Sequence, residues 1–409
     1  MTERPDFVGG WSDALNTLAN GLHVARLTAR HSRFAEAIAV RRLAEAVYVH
    51  FPKLAAKRPL ATPVEVVIAV SSVCQLSCRM CGLRRIMKQP AYAGRTLSHA
   101  DLAPALAEMS HWSPRPYVKF TGGEPLIIGD ELFSMLEDCR RRRLPARVST
   151  NGILLAEKDI AAELVRTGVD VVTVSLDGPR DVHNAVRGRD FAFDRTVEGI
   201  RRLHEVKRAV GRQAPLVQVT SVIHADNFGR LREIYELCRT LPVQWWNVQL
   251  LNFVSPDASD AADATAREWG YAPGPWRAFA NDALRRVDAR VLSLAVTWVR
   301  RQRSPFAISL HHVGGYDADR LRAYYAGSGA PLSRKICAVP FIAMHIAPNG
   351  DLVFCIDYPY VTYGNLRESP LRAAWRSAPA RAFRDHLLTA WQTAGCYPPQ
   401  CNRCNWMFN

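Results

Sequence analysis

Three cysteines crowd into one short stretch, and their spacing limits the chemistry that they can support. Cys74, Cys78 and Cys81 form a Cys-x3-Cys-x2-Cys pattern directly after an apolar run. Three thiolates can hold three irons of a cubane cluster, which leaves a fourth iron open to chelate a small molecule and pass it an electron. Structural zinc prefers four ligands, and no fourth ligand stands close by in the sequence. The pattern therefore predicts a redox-active iron–sulfur site, with zinc as the alternative.

The other cysteines fall into two groups. Cys139 and Cys238 stand alone within predicted helices, where we expect small buried hydrophobic residues. Five further cysteines stand at or after position 337, and clustered thiols of this kind indicate metal binding more than disulfides. These five are Cys337, Cys355, Cys396, Cys401 and Cys404.

Strand-like and helix-like segments alternate from position 64 onward. We predict strands over 64–70, 117–121, 146–150, 170–176, 216–223 and 245–251, with helices between them. Six alternating units predict a parallel α/β sheet with the cysteines at the C-terminal ends of its strands. The units fit an open, partial barrel, and a doubly wound sheet is the alternative.

The flanking regions differ from this repeating pattern. Residues 1–58 show leucines at helical spacing and no motif, so we expect them to cover one end of a barrel or to contact a partner. Residues 255–265 are polar and predict a loop, and helical segments follow at 275–287 and 317–326.

Glycine and polar residues follow the second, third and fourth predicted strands. Gly122 and Gly123 allow a backbone to approach a ligand closely, and Glu124 can accept hydrogen bonds from an ammonium group. Asn151 follows the third strand and Ser175 lies in the fourth. For these two residues, turn formation is the alternative to ligand binding.

Together these motifs resemble the radical S-adenosylmethionine (radical SAM) superfamily, over about 64–409. The similarity rests on the three-cysteine loop, the GGE motif at 122–124, and an SLDG…H…RG pattern that runs from Ser175 to Gly188. One departure is Met80, because the residue before the third cysteine is usually aromatic in this family. Methionine is apolar and adaptable enough to pack in the same place.

The resemblance implies roles for these residues. Cys74, Cys78 and Cys81 would hold a 4Fe–4S cluster, and S-adenosylmethionine would bind beside it. The GGE motif would contact its methionyl amino group, Ser175 its ribose and Arg187 its carboxylate, and Asn151 would also contribute to the site. One-electron reduction of the cofactor would yield a 5′-deoxyadenosyl radical, which removes hydrogen from the substrate.

The late cysteines resemble the twitch or SPASM class of auxiliary domain, in which a C…G-x4-C segment precedes a terminal C-x2-C. Full SPASM domains use seven cysteines, whereas five are present here. The resemblance implies one auxiliary 4Fe–4S cluster, held by Cys337, Cys355, Cys401 and Cys404. Cys396 is then spare or a substitute ligand, Asp357 is a candidate base, and a zinc site is the alternative.

The expected fold class is therefore α/β: a partial (β/α)6 TIM-like barrel with an N-terminal helical segment and a small C-terminal twitch/SPASM-like cluster domain. The expected domains are the N-terminal helical segment 1–60, a radical SAM core 61–256, a helical connection 257–335, and an auxiliary iron–sulfur domain 336–409.

Three functions fit these features. The first is radical oxidation of a small molecule of the sugar or aminocyclitol type, with one electron passing to the auxiliary cluster. The second is a peptide-modifying maturase that forms crosslinks or epimerises residues, although such enzymes often carry an N-terminal peptide-binding domain with strands. The third is a zinc- or nucleic-acid-binding protein without catalytic activity.

Charge and hydropathy restrict the partners. The net charge is +15, but the basic residues are scattered and mostly arginine, so we do not expect specific nucleic-acid binding. The apolar runs are too short to cross a bilayer and the N-terminus lacks a secretion signal, so we expect a cytoplasmic protein. Its partners would be a small-molecule or peptide substrate and a reducing electron donor such as flavodoxin or ferredoxin.

Overall fold

One sheet of ten strands runs through the computed structural model, which describes residues 32–51, 60–272, 274, 276–311, 316–327, 337–355, 361–394 and 401. The strand order is β10-β9-β8-β1-β2-β3-β4-β5-β6-β7. All neighbouring strands from β8 to β7 are parallel, and β9 and β10 add antiparallel strands at one edge. The strands are β1 Glu65–Ser71, β2 Tyr117–Gly122, β3 Ala146–Thr150, β4 Val171–Ser175, β5 Leu216–Ile223, β6 Trp245–Leu250, β7 Ala307–His311, β8 Ala343–Ile346, β9 Asp351–Val353 and β10 Thr362–Asn365.

Helices connect the parallel strands, as parallel pairing requires. The described helices, of which α1, α13 and α14 lie outside the strand connections, are α1 Ser32–His50, α2 Gly82–Ile86, α3 His99–Ser110, α4 Asp130–Arg141, α5 Lys158–Thr167, α6 Arg180–Arg187, α7 Ala192–Ala209, α8 Leu231–Thr240, α9 Pro256–Glu268, α10 Ala289–Arg300, α11 Ala318–Ala326, α12 Val339–Ile342, α13 Leu371–Trp375 and α14 Ala378–Ala394. No helix among the described residues is long and apolar enough to span a membrane.

The structure confirms the six predicted strands and the partial barrel, and it corrects the region after them. The predicted loop at 255–265 is helix α9, because the Ser255 hydroxyl caps its first turn and Pro256 occupies its first position. The helix predicted at 275–287 is a short 3₁₀ turn, and α10 begins only after the capping residue Asp288. Strand β7 was not predicted and pairs with β6, so residues 257–335 are more than a helical connection.

The sheet separates an apolar outer face from an inner face that carries most of the polar strand residues. Val66, Ile68, Val118, Phe120 and Val148 belong to the main hydrophobic core, to which residues of the surrounding helices also contribute. The alternate residues of the same strands face the enclosed space, which we call the lumen. Cys139 and Cys238 are fully buried in the core, as predicted.

Helix α1 covers the N-terminal end of the lumen. Phe34 of α1 packs edge-on against Tyr117 of β2, with ring centroids 5.4 Å apart. Val171 and Leu216, the first residues of β4 and β5, join the same apolar cluster. Because strands from across the sheet meet one helix, the sheet curves around it. The expectation that the N-terminal segment covers one end of the barrel therefore holds for α1; residues 1–31 lie outside the described residues.

A buried carboxylate lies at this end of the lumen. Glu65 is 1% exposed, and it contacts Arg41 Nε of α1 at 2.5 Å and Lys119 Nζ of β2 at 2.8 Å. Burial alone would raise the pKa of Glu65, but these two cations lower it to about 2. The carboxylate thus ties α1 to the barrel.

The C-terminal part of the chain extends the same sheet, because β8 pairs with β1. Buried Arg384 donates hydrogen bonds to Pro340 O at 2.8 Å and Trp375 O at 2.9 Å. Its guanidinium lies 4.0 Å from the centre of the Trp375 ring, whose Nε1 donates to Leu60 O. These contacts fasten the described part of the predicted auxiliary domain to the barrel.

Replacing Glu65 with Gln should lower the free energy of unfolding by about 3 kcal/mol, because two buried cations lose their shared anion. Urea denaturation at pH 7 measures this loss. The folded-state pKa lies below that of the unfolded carboxyl, so the contribution is present above about pH 4.5 and disappears as the pH falls toward 2. Glu198→Gln, at an exposed pair with Arg202, is the control and should cost less than about 1 kcal/mol. Equal losses would contradict the assignment.

Candidate active site

The three cysteines lie on a loop of residues 72–81, the cysteine loop, which crosses the C-terminal end of the barrel between β1 and α2. Backbone hydrogen bonds hold its middle, because Ser77 N donates to Arg187 O at 3.4 Å and Arg79 N to Val186 O at 3.0 Å. Cys81 caps the first turn of α2. The cysteine loop is thus fixed against the last turn of α6, the helix that follows β4.

Each of the three sulfurs faces a nitrogen donor. Cys74 Sγ accepts from Asn151 Nδ2 at 3.9 Å, and Cys78 Sγ accepts from Arg187 Nη1 at 3.6 Å. Cys81 Sγ accepts from the backbone N–H of Arg84 at 3.3 Å. Such donors stabilise thiolates and orient them as metal ligands.

The half-buried sulfurs line one cavity of about 390 Å³, together with Gly122 and Gly123. Among the described residues, no three His, Cys, Asp or Glu side chains surround a single point as the ligands of one metal ion would. A cubane takes each of three thiolates on a different iron, whereas structural zinc prefers four ligands, so three cysteines fit a cluster better than a zinc ion.

Burial affects the thiols before any metal binds. It raises the pKa of Cys74 to about 11, and nearby Glu124 adds to that rise. Burial also raises the pKa of Cys81. The thiols of Cys74 and Cys81 are therefore protonated at neutral pH in the absence of metal, and binding of iron would release their protons.

Gly122 and Gly123 allow the backbone after β2 to lie against the start of the cysteine loop. A Cβ atom on Gly122 would lie 2.4 Å from Ser71 O, and one on Gly123 would lie 2.2 Å from Val73 O. Gly122 also has a φ of 131°, which residues with a Cβ rarely adopt. The two glycines are thus a steric requirement of the site.

Glu124 differs from its expected role. Its carboxylate is fully buried and accepts hydrogen bonds from Thr150 Oγ1 at 2.7 Å, Asn151 N at 2.7 Å and Leu126 N at 3.1 Å. Burial raises the pKa of Glu124 to about 6, although these hydrogen bonds oppose the rise. The side chain thus joins the loops after β2 and β3, which leaves the glycine peptide groups to face the cavity.

Arg187 is held by Asp177, a residue of the SLDG pattern. Arg187 Nη2 contacts Asp177 Oδ2 at 2.5 Å, and Asp177 Oδ1 accepts from Val222 N at 3.0 Å. Although burial opposes it, the pair raises the pKa of Arg187 and lowers that of Asp177. The SLDG pattern includes Asp177, but only the fold shows that it pairs with Arg187, ten residues further along the chain.

Asn151 and Ser175 both reach the C-terminal end of the barrel. Asn151 contacts Cys74, as described, and its Oδ1 accepts from Gln75 Nε2 at 3.4 Å. Ser175 ends β4 beside Thr220, half-buried on the inner face. The structure therefore brings the cysteine loop, Asn151 and Arg187 into contact, with Ser175 at the same end of the barrel.

A further segment packs on the cysteine loop, and the sequence carried no signal for it. The Phe279 ring fills the space beside Gly82, where a Cβ atom would lie 2.3 Å from a ring carbon. Asn281 Nδ2 donates to Arg79 O at 3.0 Å, and the Arg79 side chain contacts Asp226 Oδ2 at 3.0 Å. The cysteine loop is therefore covered from the side of α9 and α10.

Three of the five late cysteines lie among the described residues. Cys337, Cys355 and Cys401 are half-buried and pack against the main core. Burial raises the pKa of the Cys337 thiol to about 12. Cys396, Cys404 and the candidate base Asp357 lie outside the described residues, so the auxiliary ligand set stays a prediction.

Comparison with known proteins agrees with this geometry. The model of the radical SAM superfamily matches residues 68–238, and that of an iron–sulfur cluster-binding domain, SPASM, matches residues 337–405. AdoMet-dependent heme synthase from Nitratidesulfovibrio vulgaris is 28% identical over 183 residues, covering 44% of this chain and 46% of that protein. Pre-heme d1 synthase from Dinoroseobacter shibae is 28% identical over 180 residues, covering 43% of this chain and 41% of that protein. The chain thus spans about half the length of the curated relatives it matches.

A solved structure shares the fold. SuiB from Streptococcus suis superposes with a TM-score of 0.59 at 17% identity, covering 82% of this chain and 71% of that chain. The likeness extends over most of both chains and concerns the fold alone.

Replacing Cys74, Cys78 and Cys81 together by Ala should halve the iron content after anaerobic reconstitution, from about eight irons per chain to about four. Iron assay and the absorbance of the brown protein measure the change. Cys139→Ala is the control, because it removes a buried cysteine away from the site and should leave about eight irons. Unchanged iron in the triple variant would refute the site.

Replacing Asp177 with Asn should weaken binding of S-adenosylmethionine about tenfold, because Arg187 loses the charge that orients it. Equilibrium binding to the reconstituted protein measures the change. Asp181→Asn removes an exposed partner of Arg230 and should leave the affinity unaltered. If both variants bind equally well, Asp177 has no positioning role.

Proposed function

Because the chain belongs to the radical SAM superfamily and carries a C-terminal SPASM domain, we propose that it oxidises a small polar molecule held in the barrel lumen. The cofactors of this family are 4Fe–4S clusters and S-adenosylmethionine, and together they supply the radical that abstracts hydrogen. The residues of this chain would hold those groups and shape the space beside them.

The proposed holding residues follow from the described contacts. Cys74, Cys78 and Cys81 would bind the cluster, with a nitrogen donor directed at each sulfur. The peptide groups of Gly122 and Gly123 would receive the methionyl end of the cofactor, and Arg187 its carboxylate. Ser175 would lie toward the ribose.

The observation that carries the substrate class is the set of side chains that line the lumen. Helix α1 covers its N-terminal end, so a substrate would enter from the end that carries the cysteine loop. Between these ends the inner face presents small hydroxyl side chains that are half-buried, namely Thr121, Ser149, Ser175 and Thr220. A polar lining that is covered at one end favours a small polar molecule, of the sugar or aminocyclitol type, over a long peptide.

The names of relatives support a small-molecule substrate. The matched curated relatives include proteins named for heme and pre-heme d1 synthesis. A peptide-modifying reaction remains the competing proposal. Helix α1 is a single helix along its whole described length, unlike the strand-containing peptide-binding domain expected of that class.

We propose a net two-electron oxidation. One electron and one proton would leave the substrate after hydrogen abstraction, the electron passing to an auxiliary cluster on Cys337, Cys355, Cys401 and Cys404. Asp357 is the proposed base, and Cys396 the proposed substitute ligand. A flavodoxin or ferredoxin is the proposed reductant of the first cluster.

Incubation with deuterated cell extract tests this function. Reconstituted protein, S-adenosylmethionine and dithionite are mixed with extract from cells grown in deuterium oxide, split into fractions below and above 1 kDa. Mass spectrometry of 5′-deoxyadenosine should show deuterium transfer from the low-mass fraction, because the radical takes hydrogen from its substrate. The Cys74→Ala, Cys78→Ala, Cys81→Ala variant is the control and should form no 5′-deoxyadenosine.

The fractions separate the two proposals. Deuterium transfer from the high-mass fraction alone would favour a peptide substrate and overturn the small-molecule proposal. Formation of 5′-deoxyadenosine by the triple variant would overturn the assignment of the cysteines.

A further inference from the structure

The N-terminal end of the lumen holds a group of ionised side chains, and most of them are paired. Asp170 contacts Arg33 Nη2 at 3.5 Å, and Arg41 contacts Glu45 at 3.0 Å as well as Glu65. Lys119 shares the Glu65 carboxylate. With Arg147, this end of the lumen holds four cations and three carboxylates. The cations are Arg33, Arg41, Lys119 and Arg147, and the carboxylates are Glu45, Glu65 and Asp170.

Arg147 is the cation in excess. It is the second residue of β3 and alternates with the core residue Val148, so its side chain faces the lumen. Its Nε donates to Thr173 Oγ1 of β4 at 2.5 Å, and Thr173 contacts Gln218 of β5 at 3.2 Å. Within the described part of the chain, no carboxylate oxygen lies within 4.0 Å of its guanidinium.

The groups around Arg147 do not balance its charge. Burial raises the pKa of the Tyr117 phenol, and the opposing effect of Arg147 does not reverse that rise, so the phenol is neutral. Burial lowers the pKa of Lys119 to about 8; Arg41 and Arg147 add to this decrease, while Glu65 opposes it. His345 stays neutral because burial lowers its pKa to about 4. This end of the lumen is therefore positive.

The position of Arg147 suits one end of a substrate. Thr150 ends the same strand, three residues further along and next to the Glu124 carboxylate, so Arg147 lies about 10 Å below the cysteine loop. The inner face between these levels presents Thr121, Ser149 and Thr220, which are small and half-buried. An extended molecule of about eight or more heavy atoms can span this distance, since each bond of such a chain advances about 1.25 Å.

We propose that Arg147 binds an anionic group of the substrate, a carboxylate or a phosphate, at the closed end of the lumen. The planar guanidinium offers paired donors that match two oxygens of such a group. Water can accept the same hydrogen bonds, but it cannot neutralise the charge. This inference rests on the proposed function, because it assumes that the substrate enters the lumen.

Anion exchange of the deuterated low-mass fraction tests the proposal. The fraction is split at pH 7.5 into molecules that the resin retains and molecules that pass through, and each part is incubated with reconstituted protein, S-adenosylmethionine and dithionite. Deuterium should enter 5′-deoxyadenosine from the retained part. Phosphatase treatment of that part distinguishes the two anions, because it should abolish transfer from a phosphate ester and leave transfer from a carboxylate.

Variants link this result to Arg147. Arg147→Gln should lower the rate of deuterium transfer from the retained part about 10- to 100-fold, as expected for loss of a charged hydrogen bond. Arg147→Lys should restore part of the rate because it restores the charge. Arg201→Gln, on the exposed face of α7, should behave as the unaltered protein. Iron content and the electron paramagnetic resonance spectrum with S-adenosylmethionine confirm that each variant holds its cluster.

The outcomes separate the two proposals. Transfer from the flow-through alone would overturn the role of Arg147 and leave the small-molecule function intact. Transfer from neither part, with transfer from the high-mass fraction, would overturn the proposed function itself. An unchanged rate in Arg147→Gln would also refute the assignment.

Discussion

The cysteine loop depends on a close approach between the backbone that leaves β1 and the backbone that leaves β2. Gly123 N donates to Ser71 O at 2.6 Å, and Glu124 N donates to Val73 O at 2.8 Å. Only residues without a Cβ permit this contact at positions 122 and 123. Because the loop is fixed here at its start, and in its middle by the carbonyls of the last two residues of α6, its three sulfurs line the same cavity.

The charges at this end of the barrel are arranged around the same loop. A thiolate-rich site needs nearby donors, and a buried arginine without a counter-charge would cost several kcal/mol. Asp177 supplies that counter-charge to Arg187 from the side away from Cys78, so one arm of the guanidinium binds the carboxylate and the other reaches the sulfur. Glu124 works differently, since its hydrogen bonds hold two loops together and burial keeps it from the cavity.

Hydrophobic periodicity and residue spacing predicted the features that depend on one short segment of the chain. The six strands, the cysteine triplet and the polar residues at strand ends follow from apolar runs and spacing. Helix α9 was missed because its alanine- and aspartate-rich sequence resembles a loop, and only the cap at Ser255 marks its start. The role of Asp177 and the imbalance at Arg147 depend on residues from other strands, so neither can be read from one segment.

The two ends of the lumen carry different side chains. Along each strand, alternate residues face the apolar core, and the residues between them supply the polar groups of the lumen. At the open end, N–H donors face three sulfurs. At the closed end, α1 packs on the first residues of β2, β4 and β5 and brings Arg41 to Glu65, a carboxylate that Lys119 also contacts. That carboxylate is therefore fully engaged, and no described carboxylate reaches Arg147. The end of the lumen that α1 covers therefore carries excess positive charge. A substrate with an anionic group would enter with that group first and present its other end to the cysteine loop.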